Sequence, residues 1–379
     1  MSDIQVIAVA DKHGRSDFIE VPFGIYKDDP NWIPPLYIER QEHLDPKKNP
    51  YFKHADTQLF VAYRAGRPIG RISAQVDRLR LEYHKDSTGL FGFFDVPDDQ
   101  AVTSALIGAA ETWLSQKGMA RIQGPFNFSI NDEMGLLIDG FDRPPCIMMG
   151  HAKPYMAGHL EARGYSKAKD VIAYDYDGEV SLTRSMQAIV DKAKKSGDIR
   201  IRPFSKKNMA RDIEIIMSIF NDAWSDNWGF VPFTPEEIAA LGNNLKMLVK
   251  DEYIVIAEYR GKPAAMAVTL PDINAWLADL NGRLLPFGWA KLVWRLMAKP
   301  PEAVRMPLMG VLRKHHGTAI GSALALSVID TLYRYHRGRG TKRAELSWIL
   351  EDNRPMRRII ESLGAVPYKT YRIYEKDLA

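Results

Sequence analysis

The chain repeats itself. Ala62-Tyr63-Arg64-Ala65-Gly66-Arg67-Pro68 returns as Ala257-Glu258-Tyr259-Arg260-Gly261-Lys262-Pro263, and Ala101-Val102-Thr103-Ser104-Ala105-Leu106 as Ala319-Ile320-Gly321-Ser322-Ala323-Leu324. Asn31-Trp32 matches Asn227-Trp228. Glu161, Gly164, Lys169 and Tyr174 match Glu361, Gly364, Lys369 and Tyr374. The order is kept and only insertions change the spacing. Short matches in one order point to a duplication, so the two halves must share one fold. A chain of 379 residues is long enough for two ordinary domains. The expected division is 1–178 for the first and 199–379 for the second. A polar linker at 179–198 carries a short helix at Thr183–Lys194.

The second half holds the more telling turn. An apolar, strand-like run (Met306–Leu312) meets Arg313–Leu324, RKHHGTAIGSAL, which opens an apolar helical run (Ala323–Tyr335). Gly317 and Gly321 let backbone approach a ligand closely. The N–H groups and positive dipole end of the helix start then face an anion. Arg313 and Lys314, with His315 and His316, add cationic character. The turn is neither a Walker loop, which needs Gly-Lys-Ser/Thr, nor the dinucleotide fingerprint. By spacing alone it is equally an ordinary strand–helix junction. At the matching place the first half reads Val96-Pro97-Asp98-Asp99-Gln100-Ala101, with no glycine and with Thr103 for Gly321. Two aspartates repel an anion. A cofactor site is therefore expected only in the second half.

His316-Gly317-Thr318-Ala319-Ile320-Gly321-Ser322-Ala323-Leu324 resembles the acyl-CoA pyrophosphate loop of the GNAT superfamily of N-acyltransferases, with His316 where Arg or Gln is usual and Ala319 where a Gly is usual. Further elements follow the superfamily's order: a strand at Ile199–Pro203, helices at Lys207–Trp224 and Pro235–Val249, a hairpin of Tyr253–Tyr259 and Pro263–Leu270, and a strand at Ala344–Leu350 before Asn353. The usual tyrosine acid of the following helix is Ile360 here. The resemblance implies an α/β protein of two tandem GNAT-like domains, each a mixed, mostly antiparallel twisted sheet flanked by helices. It implies transfer of an acyl group from acyl-CoA to an amine. Arg313, Lys314, His316, Gly317, Thr318, Ala319, Ile320, Gly321, Ser322 and Asn353 would hold the cofactor. Asp226, Asn227 and Trp228, in the turn after the first helix, would face the acceptor. The length, the Ser347–Asn353 segment and a Trp/Leu-rich insertion also resemble the GNAT-type bacterial ceramide synthases, which implies a fatty acyl-CoA donor and a sphingoid base as acceptor.

Acyl transfer from a thioester needs a neutral amine, an oxyanion donor and an acid or water for the thiolate. Strand alternation puts Glu345, Ser347, Ile349 and Glu351 on one face. Glu351, at the strand's exit, is the candidate proton acceptor, and Tyr371 the candidate acid. The first half offers a polar cluster, Asn127–Glu133, which is also readable as a plain turn.

Charge and composition narrow the alternatives. A net charge of +4 without a basic stripe interleaved with aromatics is no nucleic-acid signature. The one cysteine, Cys146, excludes an internal disulfide and a cysteine-based zinc site. No metal is expected. No signal-peptide core and no run of about 18 uncharged apolar residues occurs, so the expected location is the cytoplasm. Within Asp272–Glu302 the insertion mixes Trp and Leu with Arg283, Lys291, Arg295 and Lys299. It reads as a helical cap, a lid over an acyl chain, or a peripheral membrane contact. Two other classes stay open: an aminoacyl-tRNA-dependent transferase and a non-catalytic acyl-CoA or lipid sensor.

Overall fold

The computed structural model describes residues 4–178, 181–245, 248–298 and 300–378. Positions 179–180 of the expected linker, 246–247 of the expected helix Pro235–Val249, and Lys299 lie outside the described residues. Two compact units emerge. One comprises Met1–Val171, Asn274–Leu292 and Lys369–Ala379, the other Ile172–Ile273 and Val293–Tyr368.

In the first unit, antiparallel strands Ile4–Ala8, Ala55–Arg64, Arg67–Asp77 and Thr88–Asp95 follow one another across the sheet. Thr88–Asp95 then pairs in parallel with Arg121–Gly124. The far neighbour of Arg121–Gly124 is the end of the chain, with Tyr374 opposite Gly124 and Asp377 opposite Arg121. Helix Gln100–Gln116 buries Val102, Leu106, Ala110 and Leu114, one residue every four, as a face laid on a sheet requires. Gly70 makes room for it: a Cβ there would meet Leu106 at 2.9 Å.

The second unit repeats the plan. Ile199–Pro203, Ile254–Tyr259, Lys262–Pro271 and Ala303–Val311 are antiparallel neighbours, and Ala303–Val311 pairs in parallel with Arg343–Leu350. Helix Ala319–Arg337 lays Leu324, Val328 and Leu332 on Val255, Ala257, Ala265 and Ala267. The α/β class, with antiparallel neighbours and a parallel pair in each unit, matches the sequence reading.

The division of the chain differs from the expected 1–178 and 199–379 in three places, each with a physical cause. Lys369–Ala379 belongs to the first unit because its backbone completes that sheet and Arg372 forks onto Asp170 at 2.8 and 3.0 Å. Ile172–Gly178 belongs to the second, where Tyr174 donates to Glu361 at 2.8 Å and Arg357 donates to Tyr174 at 2.9 Å. The matching tyrosine, Tyr374, donates to Glu161 at 3.0 Å. Each repeat's tyrosine thus bonds the other repeat's glutamate, so the two repeats exchange their last strands. The third place is Asn274–Leu292, from the expected insertion. It joins the first unit through Asn274 Nδ2 donating to Pro145 O and Tyr37 N donating to Gly282 O, both at 2.8 Å.

Candidate active site

The parallel pair of the second unit parts midway. Backbone pairing runs from Ala303 opposite Arg343 to Met306 opposite Leu346, yet the strands continue to Val311 and Leu350. The carboxyl ends of such strands are the usual ligand position in α/β sheets. The strand ending at Val311 feeds the glycine turn and the 19-residue helix Ala319–Arg337.

The turn is wound tightly. His315 N donates to Leu312 O and His316 N to Arg313 O, both at 2.9 Å. Thr318 caps the helix, its hydroxyl accepting from Gly321 N at 3.0 Å and donating to His315 O at 2.7 Å. Gly317 has φ +69, which a glycine adopts without strain. Gly321 is required for a different reason: a Cβ there would lie 2.1 Å from His315 O. Gly317, Thr318, Ala319 and Ser322 are exposed and Ile320 is half-buried. The first N–H groups of an α-helix have no intrahelical acceptor. An exposed, glycine-lined helix start of this length fits a pyrophosphate.

The cations are less equal than the sequence suggests. Arg313 is held by carboxylates: its N–H donates to Asp222 Oδ2 at 2.7 Å and its Nη1 to Asp226 Oδ2 at 2.8 Å. Arg313 therefore orders the turn, and its charge is already balanced. His316 Nε2 lies 2.7 Å from Val311 O, which fixes the ring as a donor to the strand end. Burial, with Lys314 and His316 beside it, lowers the pKa of His315, so this ring is neutral at neutral pH. It stands edge-on to Tyr259, 5.5 Å between centroids. Lys314 is exposed and, among the described residues, makes no ion pair.

The acceptor candidates divide likewise. Asp226 is spent on Arg313. Asn227 N donates to Trp224 O at 2.8 Å and its carbonyl accepts from Phe230 N, so this residue shapes the turn, and Trp228 is half-buried beside it. Trp224 Nε1 donates to Met309 O at 3.1 Å, binding the end of helix Met209–Trp224 to the strand that leads to the turn. Asn353 caps helix Arg354–Ser362, accepting from Met356 N at 3.2 Å. Glu351 is half-buried at the strand's exit, and its carbonyl accepts from Arg357 Nη1 at 2.9 Å. Tyr371 needs correction as the candidate acid. It lies in the first unit, fully buried, with its hydroxyl donating to Gly150 O at 3.1 Å.

One group was missed. Where the parallel strands part, Arg305 stands opposite Glu345, both almost wholly buried. Arg305 Nε donates to Ser347 Oγ at 3.1 Å and lies 3.4 Å from Glu345 Oε2; its guanidinium sits 4.5 Å over the Trp348 ring. Neither Glu345 oxygen has a well-formed hydrogen bond among the described residues. Burial pushes its carboxyl up to about 7, against the downward pull of Arg305 and Ser347. The signal in the sequence was two charges, Arg305 and Glu345, each inside an apolar strand run; only a register brings them together.

The architecture defines the class first: a tandem GNAT fold. The structure is similar to a tandem GNAT protein from the clavulanic acid biosynthesis pathway, TM-score 0.58 at 13% identity, covering 100% of this chain and 99% of that one. It is similar also to a GCN5-related N-acetyltransferase from Sphaerobacter thermophilus, TM-score 0.53 at 14% identity over 98% and 96% of the two chains. No family model matches the chain. Sequence relatives make the second step. The bacterial ceramide synthase of Caulobacter vibrioides is 42% identical over 378 residues, 100% of this chain and 98% of that protein. Protein YghO of Escherichia coli (strain K12) is 46% identical over 368 residues, 97% of this chain and 94% of that protein. The chain belongs to the family of these two proteins.

Proposed function

We propose that this chain is an N-acyltransferase that moves a long-chain acyl group from acyl-CoA to the amine of a sphingoid base, giving a ceramide-type amide. The observation that carries the reading is the end-to-end likeness to a protein named bacterial ceramide synthase. The glycine turn supports the donor. The N–H groups of the Ala319–Arg337 helix start and Lys314 would hold the pyrophosphate, with Asp222 and Arg313 keeping the turn in shape. The pantetheine arm would enter where the parallel strands part.

The acceptor amine attacks the thioester carbonyl, the C–S bond breaks, and an amide and CoA thiolate result. The amine's proton needs a base and the thiolate a proton. Glu351 is placed at the exit of the strand. Glu345, poised near neutrality deeper in the same strand, is suited to store a proton and to hold the Arg305 charge.

The test is CoA release from palmitoyl-CoA with and without a long-chain sphingoid base, read by mass spectrometry. Base-dependent release with the matching amide is the expected result. Binding of palmitoyl-CoA without release would turn the reading to a sensor. Absence of both would remove the donor-site assignment.

A further inference from the structure

Among the described residues, one surface breaks the usual rule for a soluble protein. Leu285, Phe287, Trp289, Val293, Trp294 and Met297 are all large, apolar and exposed, with Met297 at 83%, Leu285 at 81% and Phe287 at 78%. The other exposed large apolar residues, such as Ile7, Ile38 and Tyr83, lie apart in sequence. Scattered apolar residues need no explanation, but a run of this density does.

The run is built as a face. Helix Gly288–Ala298 buries no residue. Trp289, Val293 and Met297 recur every four residues on one side, with Trp294 next to them. Leu285 and Phe287 stand on the turn before it. That turn is ordered: Trp289 N donates to Leu284 O at 2.8 Å and Lys291 N to Phe287 O at 3.2 Å. Leu292, Arg295 and Leu296, on the other side, are the half-buried ones. The helix thus turns its aromatic face outward.

Charge decides what covers it. From Leu280 to Pro300 the sequence has no Asp or Glu and has Arg283, Lys291, Arg295 and Lys299. Lys291 is steadied by Asp279 at 2.5 Å. A second copy of the chain meeting this face symmetrically would set like charges against each other. An anionic bilayer sets opposite charges there, and tryptophans beside lysine and arginine belong at a lipid–water boundary. No helix of the described residues is long and apolar enough to cross a membrane. We propose that the turn and helix from Leu285 to Met297 dock the enzyme in the plane of an anionic phospholipid surface. The proposal deepens the lipid-acylation reading and rests on it only for why a membrane is useful: both long-chain substrates partition there.

The experiment is co-sedimentation of the full chain with vesicles of equal parts phosphatidylcholine and phosphatidylglycerol, against phosphatidylcholine alone. The wild type is expected to bind the mixed vesicles, less so in high salt. Trp289→Ser with Trp294→Ser, and separately Leu285→Ser with Phe287→Ser, should each weaken binding about tenfold or more. Unchanged melting temperatures show that these exposed positions leave the fold intact. Lys291→Gln with Arg295→Gln should abolish the preference for phosphatidylglycerol. Turnover of detergent-dispersed substrates should stay at the wild-type level in the Trp pair, while turnover of vesicle-borne substrates falls. Vesicle binding without any acyl transfer would leave docking standing and sink the catalytic reading. Failure of the wild type to bind mixed vesicles, or a dimer in sedimentation velocity that the Trp pair dissociates, would overturn the proposal.

Discussion

The two units place the same strand, turn and helix at the same step of the same plan and finish them differently. In the second unit the helix begins at Thr318 behind a glycine turn, and the parallel strands part after Met306 and Leu346. In the first, helix Gln100–Gln116 is capped by Asp99, whose carboxylate accepts from Ala101 N at 2.9 Å and pairs with Arg64 at 2.6 Å. The position that would receive an anion is held by the chain's own carboxylate. Its strands also part, after Leu90 and Gln123, but the space is filled. Gly92 lies so close to the next segment that a Cβ would meet Phe126 O at 1.7 Å, and Phe93 N donates to Asn127 Oδ1 at 2.6 Å. Gln75 reaches over to Phe126 O at 2.8 Å. A duplicated scaffold can thus keep its fold while one copy satisfies the equivalent place from within.

Transplanting first-unit residues into the second unit tests that contrast. The largest effect should come from Gly321→Thr, which copies Thr103. A Cβ at 2.1 Å from His315 O must displace the turn. A shift of about an ångström costs on the order of a hundredfold in an oriented reaction. Base-dependent CoA release should fall by at least that much, with loss of palmitoyl-CoA binding in calorimetry. Full activity in this variant would show that the turn does not hold the donor.

The second transplant is Glu345→Gln. By register Glu345 corresponds to Gln123, and Arg305 to Leu90, so the buried ion pair is peculiar to the second unit. The folded-state pKa of Glu345 is raised from 4.5 to about 7. Between those values the folded protein keeps a proton that the unfolded chain has released. Stability therefore falls as pH rises through about 4.5 to about 7, by on the order of 3 kcal/mol from this group. Denaturant melts at a series of pH values should show that slope in the wild type and a flatter one in the glutamine variant. An equal slope in both would place the titration elsewhere. If Glu345 also stores the amine's proton, the acid limb of the kcat profile near its pKa should vanish in the same variant.

Thr318→Asp should do less. Aspartate is as good a cap as threonine, so the helix and the melting temperature should hold. The added carboxylate faces the place of the pyrophosphate, as Asp99 does in the first unit. Palmitoyl-CoA affinity should weaken by about tenfold, the scale of one close charge near a surface, with kcat little changed. A matching loss in kcat with no change in affinity would contradict the reading of that helix start as the phosphate seat.

Much of this contrast was legible in the sequence. The duplication, the glycine turn and the pair Asp98-Asp99 were visible because each depends on local chain geometry or on a short motif. The expected strand Ile199–Pro203 matches the structure residue for residue, and the expected helix Lys207–Trp224 appears as Met209–Trp224. The exchange of last strands was hidden. Tyr174 and Tyr374 look alike in sequence, and nothing local says that each will bond the glutamate of the other repeat. Tyr371 stands in one of those exchanged strands, and its bond to Gly150 O is likewise a contact that no local pattern shows. The pairing of Arg305 with Glu345 escaped because strand register, which brings them together, is not written in either strand alone. The tie of Asp226 to Arg313 is a contact across 87 positions, and no motif announces it.

The smallest effect sharpens the comparison most. Asp99→Thr, which gives the first unit's helix the cap type of the second's, removes a half-exposed ion pair and exchanges one good cap for another. Such a pair is worth about 0–1 kcal/mol, so the melting temperature should drop by only a few degrees. Acyl transfer should not change, because the first unit's turn takes no part in it. Adding Thr103→Gly to the same chain copies the open turn more fully, yet it should still create no second site, since Phe126 and Asn127 keep the space between the strands. Titration calorimetry with palmitoyl-CoA is expected to give the wild-type stoichiometry for both variants. A doubled stoichiometry would mean that Asp99 and Thr103 alone close the first unit, and that the packing around Gly92 yields to a ligand. An unchanged value would place the block in the backbone that fills the parting strands, with the aspartate as its cap.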